Sequence, residues 1–123
     1  MPRILVIDDN DEFKKMTCEI LKSAGYETLS ASNGKEGIKL CHAHLVDLIV
    51  TDLLMPDMDG IETIRAMKNA NPDAKFIVVS GGGSGGSGDE YLESVQVMFD
   101  IKHTFSKPFD MDQFLQAVKE LVG

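Results

Sequence analysis

Tryptophan is absent from this chain, and only two tyrosines and two cysteines occur among its 123 residues. Cys18 and Cys41 stand alone, with no CxxC pair and no histidine cluster at ligand spacing. This excludes a zinc or dithiol centre, and both thiols are expected to be small core residues in a reducing cytosol. No apolar run approaches the roughly 20 residues that a membrane helix needs. The short run at the N-terminus leads straight into acids, which is not a signal-peptide layout, so a cytoplasmic location is expected. Basic charge is also scarce. Twelve Lys and Arg face twenty Asp and Glu, for a net charge of −8, which disfavours binding to a phosphate backbone. The glycine-rich stretch Gly81–Gly88 lacks both the Lys-Ser/Thr ending and the GxGxxG spacing of phosphate-binding loops. It joins a strand to a helix and is expected to be a mobile loop, with a phosphate-binding glycine loop as the sharper alternative.

What is present is a regular alternation. Apolar, β-branched runs at Arg3–Ile7, Tyr26–Ala31, Leu45–Thr51, Lys75–Ser80 and Lys102–Phe105 read as strands. The first, third and fourth are nearly continuous, as in parallel strands covered on both faces. Between them lie helical patterns. Phe13, Met16, Ile20, Leu21 and Ala24 share one helical face, and Gly25 is placed to end that helix. Met111, Phe114, Leu115, Val118, Leu121 and Val122 repeat the stripe after a cap at Asp110. Weaker helical patterns lie near Gly34–His44, Gly60–Asn69 and Asp89–Phe99, with Asn33 and Asp59 as caps for the first two. Five βα units in succession predict one α/β domain over residues 1–123, a three-layer αβα sandwich around a five-stranded parallel sheet.

The stretch IVTDLLMPDMDG, residues 49–60, delivers a carboxylate, Asp52, at the end of a run built for burial. The run Ile4–Ile7 does the same with Asp8 and Asp9. In parallel sheets ligands bind beyond the carboxyl ends of the strands, so these three acids are expected at one rim. Their mutual repulsion calls for a cation, and hard oxygen donors suit Mg²⁺ with substrate phosphate. Ser80 and Lys107 close two further strands with a hydroxyl and an ammonium. Each residue alone has a plainer reading: Asp9 as a helix cap, Asp57 and Asp59 as turn acids, Ser80 and Lys107 as solvated side chains. Their joint occurrence at successive strand ends points to a phosphoryl site.

Asp8-Asp9, Asp52 in DLLMPDMDG, Ser80 and Lys107-Pro108-Phe109 resemble the receiver domain of bacterial two-component response regulators, similar to the chemotaxis-type single-domain receivers. The resemblance implies the flavodoxin-like (βα)5 receiver fold with strand order 2-1-3-4-5. It makes Asp52 the phosphoacceptor for a sensor histidine kinase or histidine phosphotransfer protein. Asp9 and Asp8 become Mg²⁺ ligands together with Asp52 and the main-chain carbonyl of Leu54. Ser80 and Lys107 receive phosphoryl oxygens, and the Lys107–Pro108 peptide is expected to be cis. The implied domain is a switch rather than an enzyme, although it catalyses its own phosphorylation. It acts as a monomer or weak dimer on a downstream protein, through the face of the fourth helix, fifth strand and fifth helix. It contacts neither nucleic acid nor membrane. It stands alone or belongs to a longer regulator or hybrid kinase.

The chain departs from the family at Thr104, where an aromatic is usual, and in the glycines after Ser80. Phe105 is expected to face the core by strand alternation. His103 is expected as an exposed strand residue, and His42 and His44 as surface residues. Two other classes compete. A metal-dependent phosphohydrolase needs a general acid two residues beyond its nucleophile, where this chain has Leu54. A flavodoxin-like cofactor-binding module needs flanking aromatics, and this chain has few.

Overall fold

The computed structural model describes residues 1–52, 60–80, 96–106 and 109–123, without the side chains of Gly60, Ser80 and Ser106. The elements run β1 (Arg3–Ile7), α1 (Asp11–Ser23), β2 (Glu27–Ala31), α2 (Gly34–Ala43), β3 (Leu48–Asp52), α3 (Gly60–Ala70), β4 (Lys75–Ser80), α4 (the helical residues 96–99), β5 (His103–Ser106) and α5 (Met111–Val122). All five strands are parallel, in the order β2-β1-β3-β4-β5. This is the expected three-layer flavodoxin-like fold. Strand limits differ from the sequence reading by one residue at the start of β2, the end of β3 and both ends of β5, and by three at the start of β3, where Leu45 and Asp47 lie exposed before the ladder begins.

Alternation along the strands divides the core in two. Ile4, Val6, Leu48, Val50, Ile77 and Val79 face α1 and α5, meeting Leu21, Phe114 and Val118. Leu5, Ile7, Ile49, Phe76 and Val78 face the other way, onto Cys41 of α2 and Ile64 and Met67 of α3. Each of these large side chains contributes roughly 1.5–3 kcal/mol by leaving water. Burial on both faces explains why the central strands read as unbroken apolar runs.

The helix ends follow the sequence in most cases. Asn33 caps α2 by accepting from Glu36 N at 2.9 Å, and Glu36 Oε2 in turn accepts from Ser32 N, one residue before the cap, at 2.9 Å. Asp110 caps α5, accepting from Asp112 N at 2.8 Å. Gly25, at φ 99°, takes the left-handed turn that ends α1. The expected cap Asp59 and the glycine-rich loop 81–88 lie outside the described residues.

Helix α1 departs from its apolar stripe. Met16 is 43% exposed and Ala24 is exposed, while Thr17 and Cys18 are buried with Leu21. Thr17 can occupy the core because its hydroxyl donates to Phe13 O at 2.8 Å, leaving a methyl to pack. The helix is thus turned so that Met16 and Ile20 lie along a groove beside Leu115 of α5.

Glycine matters at position 37, where α2 crosses the end of β1. A Cβ there would lie 2.5 Å from Ile7 Cδ1 and 3.2 Å from Ile7 Cγ1, inside a packed core. Its absence lets α2 press against the residue that leads into Asp8.

Asn71, only 4% exposed, ties α2, α3 and β3 together. Its Oδ1 accepts from Val46 N at 3.1 Å, and its Nδ2 donates to Cys41 O at 2.6 Å. Asn71→Ala should leave two buried backbone groups without partners and cost about 2–4 kcal/mol in urea unfolding. Asn71→Asp should fail to restore stability, since a carboxylate cannot donate to Cys41 O.

Both cysteines are free and buried, as expected. Burial pushes the Cys41 thiol up from its ordinary 9.0 to about 11, with the Asn71 hydrogen bond opposing the shift. A thiol that ionises later in the folded than in the unfolded chain destabilises the fold at high pH. The loss should begin near pH 9 and be complete near pH 11, reaching on the order of 2–3 kcal/mol. Urea midpoints of Cys41→Ala should fall less steeply than wild type across this window.

Candidate phosphoryl site at the strand ends

The strand order sets the site. The chain leaves β1 for β2 on one side and returns to β3 on the other. A crevice therefore opens above the carboxyl ends of β1 and β3. Asp52 is the last residue of β3 and, at 5% exposed, is nearly buried. Asp8 and Asp9 come immediately after β1 rather than within it; Asp8 is 2% exposed and Asp9 is exposed. Carboxylate oxygens of Asp8, Asp9 and Asp52 lie within 4.8 Å of one another. The three acids singled out in the sequence do meet.

Local hydrogen bonds hold this arrangement. Asp8 N donates to Ala31 O at 3.1 Å, extending the β1–β2 ladder by one residue. Asp8 Oδ1 accepts from Asn10 N at 2.8 Å, closing a tight Asx turn. Asn10 Oδ1 then accepts from Phe13 N at 3.0 Å and caps α1. The cap is therefore Asn10 and not Asp9, whose carboxylate stays with its neighbours. Asn10 was missed in the sequence although its signal is visible: an amide directly before the acidic first turn of α1. Two acids in that turn, Asp11 and Glu12, suit the helix dipole and need no ligand.

The other expected residues are placed in part. Ser80 ends β4, one position beyond Val79, which pairs with Asp52. Ser80 also pairs with Ser106, the last residue of β5, and the next residue in the chain is Lys107. Lys107, Pro108, Leu54, Asp57 and Asp59 lie outside the described residues, as does the Lys107–Pro108 peptide.

At β5, Thr104 is half-buried beside Val78, on the α2–α3 face. Phe105 takes the opposite face, as expected, with its ring 5.1 Å from Phe109 and 5.9 Å from Phe114. Phe109 also meets Phe13 of α1 edge-on at 5.6 Å. Phe109 follows Lys107-Pro108, and Phe13 lies one turn into the helix after the acidic loop, so this contact joins the two loops that flank the site. His103 differs from expectation. It is only partly exposed, and its Nε2 lies 2.9 Å from Glu120 Oε2 on α5. His42 and His44 are exposed, as expected.

The chain belongs to the response regulator receiver domain family, which it matches over residues 4–119. It is 30% identical to chemotaxis protein CheY of Bacillus subtilis, covering 98% of each chain. It is 29% identical to sporulation initiation phosphotransferase F of the same organism, covering 96% of this chain and 91% of that protein. Among solved structures it resembles response regulator protein TrrA of Thermotoga maritima in complex with Mg²⁺ and BeF. That likeness has a TM-score of 0.82 and 29% identity, and covers 99% of this chain and 100% of the other. Receivers are signalling domains controlled by phosphorylation, so the phosphorylation switch is the function of this chain. Neither competing class is supported. No described helix is long and apolar enough to cross a membrane.

Three carboxylates with two nearly buried and one exposed fit a hard divalent cation, which would take their oxygens and keep waters on its open side. Adding such a cation should raise the unfolding midpoint, by about 2.7 kcal/mol in stability at a hundredfold excess over its dissociation constant. Asp9→Asn and Asp8→Asn should each reduce that rise. A monovalent salt at equal ionic strength should not reproduce it.

Proposed function

We propose that Asp52 is the phosphoacceptor of a single receiver domain spanning residues 1–123, and that Mg²⁺ is the ion held by Asp8, Asp9, Asp52 and the Leu54 carbonyl. The observation that carries this reading is the gathering of the three carboxylates around the end of β3. Among them Asp52 ends β3 opposite Val79, the residue before Ser80, and the chain reaches Lys107 directly after β5, the strand next to β4. The Mg²⁺–BeF complex of the TrrA relative supports the choice of ion.

The chemistry is a transfer between side chains. An oxygen of the Asp52 carboxylate attacks the phosphorus of a phosphohistidine on a sensor kinase or phosphotransfer protein. The new O–P bond forms as the P–N bond breaks, and the departing imidazole takes a proton from solvent. Bound Mg²⁺ supplies neutralising charge for the phosphoryl oxygens. Lys107 pairs with a second oxygen and the Ser80 hydroxyl donates to a third, so positioning and electrostatics do most of the work. Attack of water on the same phosphorus would return Asp52 to its free carboxylate and reset the switch.

Neutralising the rim and drawing Ser80 inward would change the adjoining α4–β5–α5 face, where a protein target binds. The net charge of −8 argues against direct contact with nucleic acid. This reading places the domain in the cytoplasm, where its kinase acts.

Incubation with Mg²⁺ and acetyl phosphate should add one phosphoryl group by intact mass. Asp52→Asn should abolish the addition, and Lys107→Ala should slow it by at least roughly tenfold. Addition that persists in Asp52→Asn would place the acceptor elsewhere.

A further inference from the structure

Four of the six phenylalanines in the chain gather in one cluster, and Phe109 stands at its centre. Its ring centre lies 5.1 Å from Phe105 of β5, 5.5 Å from Phe114 of α5 and 5.6 Å from Phe13 of α1. The Phe13 contact is edge-on at 78°, an arrangement that the ring quadrupoles favour. A ring met from three separate elements cannot shift without disturbing the packing of at least one of them. Phe109 itself belongs to none of the three. It lies in the short connection between β5 and Asp110, the cap of α5.

Chain connectivity makes this anchor matter to the site. Only Lys107 and Pro108 separate Phe109 from Ser106, the last residue of β5, which pairs with Ser80. Each residue spans at most about 3.3–3.6 Å, so a two-residue link with both ends held leaves its main chain few placements. Proline narrows them further by locking its own φ. On the other side of the ring contact, Phe13 N donates to Asn10 Oδ1 at 3.0 Å, and Asn10 N donates to Asp8 Oδ1 at 2.8 Å. One ring contact and two hydrogen bonds thus connect the residue that follows Lys107-Pro108 to the carboxylate of Asp8.

We propose that Phe109, through its contact with Phe13, is a positioning residue for phosphoryl transfer: it holds the backbone that carries Lys107 in register with the Asp8–Asp9–Asp52 corner. The ring acts through the lysine and not on the reacting atoms. A cation held out of line loses its advantage over solvent, so the cost of losing the ring falls on the rate of transfer. Metal binding uses the carboxylates and is left as it was. The inference rests on the roles given above to Asp52 and Lys107.

Initial rates of phosphorylation by acetyl phosphate at saturating Mg²⁺, read by intact mass, test it in a double-mutant cycle with Lys107→Ala. Phe109→Leu and Phe13→Leu keep an apolar side chain but lose the contact between rings. Each should slow the wild-type rate by roughly three- to tenfold. In the Lys107→Ala background each should slow it by less than about twofold, since no ammonium is left to place. The Mg²⁺ concentration that gives half of the thermal stabilisation should stay within about twofold of wild type. Phe13→Leu, on the α1 side of the contact, keeps the test open should Phe109→Leu unfold. Equal slowing with and without Lys107 is what general loosening of the fold would give, and it overturns the inference alone. So does a wild-type rate in both leucine variants, or a loss of rate matched by a loss of Mg²⁺ affinity. A rate unchanged by Lys107→Ala itself overturns the reading of the site, and the inference with it.

Discussion

Like charges resist being held together, and the carboxylates of Asp8 and Asp52 are fixed at the ends of two buried strands, with Asp9 next in the chain beside them. Asp52 ends a strand whose five residues are all buried, and Asp8 is fastened to Ala31 and Asn10. A solvated loop could relax by turning its acids apart, but two buried strands packed against helices on both sides cannot. The fold therefore presents three carboxylates together at one corner, where a cation can join them. The tight α2 crossing at Gly37, the Asn10 cap and the Phe13–Phe109 contact all serve to hold that corner in place.

This constraint also orders the domain from one end to the other. The carboxyl ends of β1 and β3 lead into acids, whereas Lys75 opens β4 and Lys102 precedes β5. Between them the two halves of the core are apolar throughout, apart from buried groups such as Thr17 and Asn71 that satisfy their own hydrogen bonds. Opposite chemistries thereby stand at the two ends of an apolar slab.

The placement of Thr104 and Phe105 shows how one step in a strand redistributes function. Strand alternation sends a small side chain toward α2 and α3 and an aromatic toward α1 and α5. Phe105, Phe109, Phe114 and Phe13 then form a continuous set of rings on the α1–α5 side. Aromatic packing thus links β5 and the two loops beside the site to that side of the sheet, and Thr104 offers no ring on the other.

Much was legible in the chain because strand and helix periods are local properties. Unbroken apolar runs marked the parallel strands, and Asn33, Asp110 and Gly25 marked helix ends. The position of Asp8, Asp9 and Asp52 at strand ends followed from the runs that precede them. Packing alone decided the rest. Helix α1 is turned onto Thr17 and Cys18 because a hydroxyl that bonds its own helix is as buriable as a methyl. Asn71 became a buried tie because β3 and α2 bring it two backbone groups from 25 and 30 residues away. His103 acquired Glu120 from a helix that the sequence could place but not orient.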